Sequence, residues 1–518
     1  MAKLFCMKPL TLKMKGQFDN LVRKRVKKLS IEVMPNFLKK RAFLTPSRTA
    51  LIFEDKRYTF QQLYAECVDV AGRMHTYGMR QDQYVALLLS NHSESVVILL
   101  SLQLLGIKAV LLNTRLTREE LNYQLKDSNS AFLITESLFK EKAEQLDVHI
   151  VYKHELFQTS YIEPPLVNEV ALEEVCSLMY TSGTTGSPKG VMQTYGNHWW
   201  SAIGSSLNIG LQDGDGWLCA VPLFHISGYS ILMRSMIYGM KMVLHESFDV
   251  EKTLQDITSE KVTTMSVVST MLSRLLDHLD SQLPSHFRCM LLGGGPASLS
   301  LLERCVELQV PVYQTYGMTE TASQFVTLSP EYSLSKLGSA GKALFPSQLK
   351  IVDSYGLEQQ PLESGEIYVK GPNVTKGYLN KEGSHLKDGW FATGDIGYVD
   401  DEGFLYVQDR RSDLIISGGE NIYPAEIEGV LQGHVAIQEA GVIGVEDQEW
   451  GQVPVAFVVV RDPLITEEEI IQYSSTKLAK YKVPKRVSIV DELPRNASNK
   501  LLRRSLKEWI KGGASNEN

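Results

Sequence analysis

The stretch Tyr180–Gly190 reads YTSGTTGSPKG and decides how the rest of this chain is interpreted. It combines glycines, hydroxyl side chains and Lys189, and it directly follows the apolar segment Val175–Met179. Glycines let backbone amides approach phosphate oxygens, hydroxyls donate further hydrogen bonds, and a lysine adds positive charge. The stretch therefore predicts a loop that binds the phosphates of a nucleotide.

This loop is not a Walker A motif. In that motif the lysine follows a glycine and precedes a serine or threonine, whereas here Pro188 precedes Lys189 and Gly190 follows it. A generic P-loop NTPase is therefore disfavoured. A hydroxyl-rich surface turn is the alternative interpretation of the stretch taken alone.

Composition bounds the remaining choices. The chain has 518 residues and 43% hydrophobic content. A single hydrophobic core rarely serves more than about 250–300 residues, so at least two domains are expected. The formal net charge of −7 does not suit a nucleic-acid binder. Six scattered cysteines without a C-x-x-C pair predict reduced thiols and a cytoplasmic protein. No apolar run reaches the roughly 18–20 residues of a transmembrane helix.

The N-terminus is basic. Between Lys3 and Lys28 there are nine lysines and arginines and one acidic residue, Asp19. We expect residues 1–33 to form a solvated, poorly ordered extension, with contact to anionic lipid as the alternative.

Strand-like and helix-like segments alternate from Met34 onward, which predicts a parallel α/β architecture. The expected segments are the strands Tyr84–Leu89, Ala109–Leu112 and Ala131–Thr135 and the helices Ser95–Leu105 and Thr117–Lys126. After Gly365, short β-like pieces and tight turns predict a small β-rich subdomain. The charged residues 409–413 are the expected hinge between a large domain, 34–408, and a small mobile α+β domain, 414–518.

The loop at Thr181–Gly190 resembles that of the adenylate-forming superfamily, which contains acyl-CoA synthetases, peptide-synthetase adenylation domains and luciferases. The other superfamily motifs appear here in the same order, over nearly all of the chain from Met34 to Arg503. They are YGMTE at 316–320, TGD at 393–395, Asp409-Arg410, GGENIYPAEIE at 418–428 and LPRNASNK at 493–500. The resemblance implies a large N-terminal domain with doubly wound αβ subdomains and a β-rich subdomain, followed by a small mobile C-terminal domain.

The same resemblance implies the parts of a nucleotide site. ATP contacts are expected at Thr181, Ser182, Gly183, Thr184, Thr185, Gly186, Lys189, Tyr316, Gly317, Thr319, Glu320, Asp395 and Arg410. Glu320 is also the expected ligand or anchor of Mg²⁺, because magnesium prefers one or two carboxylates together with phosphate oxygens. Asp395 and Arg410 would hold the ribose, and Tyr316 would face the adenine.

Two half-reactions are implied: ATP and a carboxylic acid give acyl-AMP, and coenzyme A then takes the acyl group. Lys500 resembles the catalytic lysine of the first step, where a cation stabilises charge around the α-phosphorus. His225 resembles the aromatic gate beside the acid pocket, with a buried core histidine as the alternative. Gly418 and Gly419 would line the coenzyme A channel, and Ser412 would be the hinge residue.

A finer resemblance concerns the acid. The stretches 291–297, 316–330, 336–342 and 409–428 look like the subfamily of 2-succinylbenzoate–CoA ligases of menaquinone biosynthesis. Their substrate keeps a second, charged carboxylate, which needs a partner when buried. His198 and Arg234 are the candidates, and Gly293 and Gly294 would let the backbone approach the ring. A surface location is the alternative for Arg234.

Other functions remain open at this point. The nearest is another aryl or fatty acid–CoA ligase, followed by an enzyme that loads a carrier protein and by a non-catalytic protein on the same scaffold. The expected partners are small molecules, and the sequence leaves a homo-oligomer open. The retained residues at positions 189, 320, 395, 410 and 500 argue against loss of activity.

Overall fold

The computed structural model describes residues 32–181, 188–279, 281–294, 297, 299–353, 355–381, 386–409, 415–494, 501 and 503–513. Its strands are β1 (Val33–Pro35), β2 (Thr49–Phe53), β3 (Lys56–Thr59), β4 (Tyr84–Leu88), β5 (Lys108–Leu111), β6 (Phe132–Thr135), β7 (His149–Tyr152), β8 (Glu169–Ala171), β9 (Val175–Thr181), β10 (Lys189–Thr194), β11 (Gly216–Cys219), β12 (Lys241–Leu244), β13 (Thr264–Val267), β14 (Cys289–Leu292), β15 (Val312–Met318), β16 (Ser323–Leu328), β17 (Lys342–Ala343), β18 (Gln348–Val352), β19 (Gly365–Lys370), β20 (Leu386–Lys387), β21 (Trp390–Val399), β22 (Leu405–Asp409), β23 (Ile415–Ser417), β24 (Glu420–Ile422), β25 (Ile437–Asp447), β26 (Gly451–Val460) and β27 (Arg486–Ile489).

The α-helices of the same residues are α1 (Phe37–Leu44), α2 (Phe60–Thr76), α3 (Ser93–Leu104), α4 (Arg118–Asp127), α5 (Lys140–Ala143), α6 (Lys153–Leu156), α7 (Tyr195–Ile209), α8 (Ile226–Tyr238), α9 (Val250–Ser259), α10 (Ser269–Asp277), α11 (Leu299–Glu307), α12 (Pro424–Gln432), α13 (Glu467–Lys477) and α14 (Arg503–Gly513). Short 3₁₀ turns include Thr319–Thr321 and Lys480–Lys482.

The strands before β18 form two mainly parallel sheets and one two-stranded pair, β1 with β8. One has the order β10-β9-β5-β4-β6-β7, with only β10 antiparallel to its neighbour. The other has the order β17-β16-β15-β14-β13-β11-β12-β2-β3, and its strands from β15 to β2 are parallel. Non-consecutive neighbours in both sheets mean helical crossovers, so the predicted doubly wound α/β fold is confirmed.

Local sequence explains these elements. The predicted segments from Tyr84 to Thr135 agree with β4, α3, β5, α4 and β6 to within one or two residues. Helix α3 is buried on nearly all sides, because its apolar residues pack in the core that it shares with α2. Helix α4 begins with a capping box in which Thr117 and Glu120 satisfy each other's backbone N–H groups.

Two smaller sheets follow. Strands β18-β19-β21-β20 with β22 form the predicted β-rich part, which is antiparallel. Strands β24-β23-β26-β25 with β27 form the last sheet, and α12 and α13 pack with it in a separate apolar core. The predicted hinge 409–413 lies outside the described residues except for Asp409. The domain limits therefore stay predictions.

This last part of the chain packs directly against the first. Ala479 and Tyr481 contribute to an apolar cluster whose other members all lie before residue 380, among them Leu88, Leu116 and Leu121. Among the described residues, no helix is both long enough and apolar enough to cross a membrane. The described cysteines are buried, free thiols.

Candidate active site

A cavity of about 910 Å³ lies where the two large sheets and the last sheet meet. Its lining includes Thr181, Ser266, Gly293, Thr315 and Gly317, which end or follow parallel strands. Ligands of open α/β sheets bind beyond the carboxyl ends of the strands, so the cavity is at the expected place. The part of the chain after residue 414 closes it with Gly418, Gly419, Glu420, Trp450, Tyr481 and Lys482.

The phosphate-loop region is described only at its two ends. Thr181 ends β9 and lines the cavity, and Lys189 pairs with it across the β9–β10 ladder. The ammonium group of Lys189 lies 5.1 Å from the centre of the Tyr378 ring. Several predicted residues lie outside the described residues, and their roles stay predictions: Ser182, Gly183, Thr184, Thr185, Gly186, Arg410, Ser412 and Lys500.

Glu320 lies in the turn Thr319–Thr321, directly after β15, and is buried. The hydroxyl of Tyr378 donates a hydrogen bond to Oε1 of Glu320 at 2.9 Å. Burial raises the pKa of the Glu320 carboxyl, and the nearby negative charge of Asp395 acts in the same direction. A divalent cation beside Glu320 would offset both effects, so this carboxylate fits the predicted magnesium anchor. No cluster of three or more metal-binding side chains occurs among the described residues.

Tyr316 and Asp395 are brought together from β15 and β21. The Tyr316 hydroxyl donates to Oδ2 of Asp395 at 2.8 Å, and both side chains are buried. This bond fixes the direction of the carboxylate. The predicted ribose contact of Asp395 and adenine contact of Tyr316 are therefore neighbours in space, although they are 79 residues apart in sequence.

His225 precedes α8 and lines the cavity, as its predicted position at the acid pocket requires. Its Nε2 atom lies 3.1 Å from Oε2 of Glu420, which comes from the last sheet. Arg115 donates to the other oxygen of Glu420 at 2.9 Å. Burial alone would raise the pKa of Glu420, but His225, Arg115 and Lys482 together lower it below the ordinary carboxyl value.

Gly418 and Gly419 line the cavity beside Glu420. Gly418 has φ +55°, and a Cβ atom there would come within 2.8 Å of the Trp450 ring. The backbone conformation and the close ring both favour glycine at this position. Both predicted channel glycines therefore lie in the cavity wall, and their role towards coenzyme A stays a prediction.

His198 and Arg234 are not among the lining residues of the cavity. His198 is buried, and its Nε2 atom lies 3.3 Å from the Ser177 hydroxyl. Burial, helped by the charge of Arg234, lowers the pKa of His198 to about 3, so the ring is neutral. Both side chains lie behind the cavity wall, because α7 and α8 direct them into the buried interior and not towards the cavity.

Arg234 is nevertheless one residue away from the cavity. It is fully buried, not at the surface, and its guanidinium lies 5.0 Å from the centre of the Trp217 ring. The indole N–H of Trp217 donates to Ser266 at 3.0 Å, and Ser266 lines the cavity. The predicted glycines Gly293 and Gly294 line the same cavity.

Some residues of the site carry no role in the sequence prediction. Gln193 donates to the backbone oxygen of Thr319 at 2.8 Å and accepts from Ser177, so it supports the turn that carries Glu320. Tyr378 and Glu420 bind predicted site residues directly. Glu420 stands inside the predicted GGEN motif, whereas Gln193 and Tyr378 have no local pattern that would single them out.

Residues 38–379 match the family of AMP-binding enzymes, and residues 426–500 match the AMP-binding enzyme C-terminal domain. A 2-succinylbenzoate–CoA ligase of Bacillus cereus is 52% identical over 484 residues, which make up 93% of this chain and 99% of that protein.

The o-succinylbenzoate CoA synthetase of Bacillus subtilis has been solved in several states. A double mutant bound to the product analogue OSB-NCoA has a TM-score of 0.89 at 51% identity, over 92% of this chain and 99% of that chain. The complexes with the acyl-adenylate OSB-AMP and with ATP and magnesium each have a TM-score of 0.73, over 92% of this chain and 98% or 100% of those chains. Since identity and coverage are nearly equal, the chain's overall arrangement is closer to that of the product-analogue complex.

Proposed function

This chain belongs to the family of AMP-binding enzymes, and on that basis we propose that it activates 2-succinylbenzoate with ATP and transfers the acyl group to coenzyme A. The likeness to the Bacillus subtilis synthetase complexes over nearly the full length carries the choice of substrate. The products are 2-succinylbenzoyl-CoA, AMP and pyrophosphate. The reaction serves menaquinone biosynthesis.

In the first half-reaction an oxygen of the aliphatic carboxylate attacks the α-phosphorus of ATP, and pyrophosphate leaves. Asp395, oriented by Tyr316, accepts hydrogen bonds from the ribose. Lys189, which pairs with Thr181 at the end of β9, contributes positive charge for the phosphates. Glu320 would hold the magnesium ion, whose positive charge would offset the charge that builds on the leaving group. Lys500 supplies the cation between carboxylate and α-phosphate.

In the second half-reaction the thiol sulfur of coenzyme A attacks the acyl carbonyl carbon, the thiol proton is lost and AMP leaves. The pantetheine arm enters along Gly418 and Gly419 and reaches the adenylate beside His225. The contact between His225 and Glu420 supports this path, because it joins the cavity wall at His225 to the residue that directly follows both glycines.

The ring carboxylate of the acid lies on the Trp217–Ser266 side of the cavity. Arg234 stabilises it from behind Trp217, because its Nε and Nη2 atoms have no hydrogen-bond partner among the described residues. A buried charge without a counter-ion is costly, so an anion near this guanidinium is stabilised on binding. His198 stays neutral and completes the polar surroundings of Arg234.

Pyrophosphate release tests the proposal. The enzyme is given ATP, magnesium and one acid from the set 2-succinylbenzoate, benzoate, coumarate and octanoate, with and without coenzyme A. We expect the highest kcat/KM with 2-succinylbenzoate and steady turnover only when coenzyme A is present. A preference for octanoate or coumarate would replace the substrate assignment and keep the ligase chemistry.

We also propose that the enzyme acts in the cytoplasm, where its co-substrates ATP and coenzyme A are available. The partners of the site are these small molecules. Size-exclusion chromatography with light scattering would settle whether copies of the chain associate.

A further inference from the structure

Three ionisable side chains are buried together at the contact between the large N-terminal part and the last part of the chain. The ammonium group of Lys482 lies 2.6 Å from Oε1 of Glu120 and 2.7 Å from Oε1 of Glu426. Their side chains are 5%, 9% and 6% exposed, respectively. Burial alone would lower the pKa of Lys482, but Glu426 and Glu120 together raise it, so the lysine is charged.

The three members do not come from the same part of the chain. Glu426 lies in α12 and Lys482 in the turn Lys480–Lys482, and both belong to the part that carries the last sheet. Glu120 lies in the first turn of α4, beside the β10-to-β7 sheet. If the last part rotates as a unit, Lys482 and Glu426 stay together and only the contact to Glu120 is broken.

Glu120 is held ready for this contact by its own helix. Its Oε2 atom accepts from the backbone N–H of Thr117 at 2.8 Å, in the capping box of α4. The other oxygen, Oε1, is the one that meets Lys482. Each carboxylate oxygen of Glu120 therefore accepts a different hydrogen bond, and together these bonds restrict rotation of the side chain.

A buried ion pair adds little net stability, because desolvation opposes the attraction between the charges. Its effect here is on the choice of arrangement, since only the docked arrangement gives Lys482 its second carboxylate and Glu120 its cation. If Glu120 were absent or neutral, Lys482 would have one carboxylate partner, Glu426, in place of two. The cluster therefore favours the one domain arrangement in which all three groups meet.

That arrangement is the one needed for the second half-reaction. The chain is closer in arrangement to the synthetase with a product analogue than to the complexes with ATP or acyl-adenylate. It also brings Gly418, Gly419 and Glu420 to the cavity. The interface around Glu120 is thus coupled to the position of the coenzyme A channel.

We propose that Glu120 is a positioning residue of the thioester-forming half-reaction, which acts through Lys482 to select the domain arrangement that opens the coenzyme A channel. The inference rests on the proposed two-step function, but not on which carboxylic acid is used. We expect adenylate formation not to need this contact, because the chain differs more in arrangement from the complexes with ATP and acyl-adenylate than from the product-analogue complex.

The test is Glu120→Gln, measured separately in the two half-reactions. Glutamine removes the charge and keeps the capping box, in which Glu and Gln are equivalent. We expect the rate of thioester formation from supplied acyl-AMP and coenzyme A to fall at least about tenfold. The single-turnover rate of pyrophosphate release without coenzyme A should stay within about threefold of the wild type.

Glu119→Gln is the matched control. Glu119 is the neighbouring residue and pairs with Lys477 across the same interface at 2.7 Å, but these side chains are 46% and 36% exposed. An exposed pair contributes little, so both half-reactions should stay within about threefold of the wild type. An equal effect of the two variants would mean that burial of the Glu120 contact has no role.

The outcomes are distinct. Equal losses in both half-reactions would make Glu120 a structural residue and overturn the proposal, as would no loss in either. Failure of the wild type with 2-succinylbenzoate would contradict the proposed substrate instead. The ratio of the two half-reaction rates is then measured with whichever acid the enzyme accepts. This ratio still tests the role of Glu120, because the proposal does not depend on the acid.

Discussion

Nε2 of His225 and Oε2 of Glu420 lie 3.1 Å apart, although 195 residues separate them in sequence. The histidine stands at the wall of the acid cavity, and the glutamate belongs to the last sheet. Glu420 also accepts hydrogen bonds from Arg115 and Asn113. This carboxylate therefore joins three residues of the large N-terminal part to the strand that follows the channel glycines.

Glu420→Gln should slow thioester formation by about tenfold, because a neutral amide replaces charge-assisted bonds to His225 and Arg115. Adenylate formation should change much less. The two rates are measured by quenched-flow with acyl-AMP plus coenzyme A and with ATP plus acid. Glu446→Gln, at an exposed site on β25, is the control. If adenylate formation lost more of its rate than thioester formation, the assignment of Glu420 to the thioester-forming step would be wrong.

Tyr378→Phe should raise the KM for ATP with magnesium by about tenfold. The reason is that the buried carboxyl of Glu320 loses the hydrogen bond that the Tyr378 hydroxyl donates to it. The KM for the acid should stay the same. Initial rates of pyrophosphate release at varied ATP and varied acid give both constants. Tyr355→Phe removes a hydroxyl at a position that is 87% exposed and should change neither. An unchanged KM for ATP in the first variant would separate Tyr378 from the nucleotide site.

Arg234→Met replaces the buried guanidinium by an apolar chain of similar length. We expect the KM for 2-succinylbenzoate to rise at least about tenfold, because the ring carboxylate loses its counter-charge. With 3-benzoylpropionate, the same acid without the ring carboxylate, the variant and the wild type should agree. The control is Arg304→Met, which removes an exposed pair with Asp277. Equal losses with both acids would show that Arg234 supports the fold and not the substrate.

His198→Gln should make stability less dependent on pH. The pKa of His198 is lowered from 6.5 to about 3 in the folded protein, so between these values only the unfolded chain binds the proton. The free energy of unfolding of the wild type therefore falls as the pH decreases, by about 2 kcal/mol from this residue between pH 7 and pH 5.

Glutamine does not titrate, and its amide reaches the position of Nε2 near Ser177. Urea unfolding of both proteins at pH 7 and pH 5 measures the difference between the two slopes. Parallel changes in variant and wild type would mean that folding does not lower the pKa of His198.

Lys500→Ala should reduce adenylate formation about 100-fold or more, because a fixed cation at the developing charge is lost. Thioester formation from supplied acyl-AMP should stay within a few-fold of the wild type. Lys507→Ala, an exposed lysine of α14, is the control. A similar loss in both half-reactions would remove Lys500 from its predicted step.

Local patterns predicted much of the fold. Alternating apolar strands and helices gave the segments from Tyr84 to Thr135, because backbone hydrogen bonding and side-chain periodicity act over a few residues. The capping residue Thr117 likewise marks the start of α4. Motif order then placed Glu320, Asp395 and His225 in one site, and the structure brings Glu320 near Asp395 and His225 to the cavity wall.

The direction of side chains in the core was harder to predict. His198 lies on α7 and Arg234 on α8, yet both lie behind the cavity wall. Which face of α7 and α8 meets the cavity depends on how these helices pack against each other and against the two large sheets. That packing sums many weak contacts with residues far away in sequence, and no short pattern encodes it.

The sequence by itself determined the fold class and the family, because both depend on short motifs with their own backbone and charge requirements. The residues of the nucleotide site stay predictions from the same motifs. Only the tertiary structure decided which groups meet between the two parts of the chain. Glu120 and Lys482 are 362 residues apart, and Glu420 meets His225 across 195 residues. Such pairs form when two folded units dock, since burial lets a carboxylate and a cation interact strongly only where both are shielded from water.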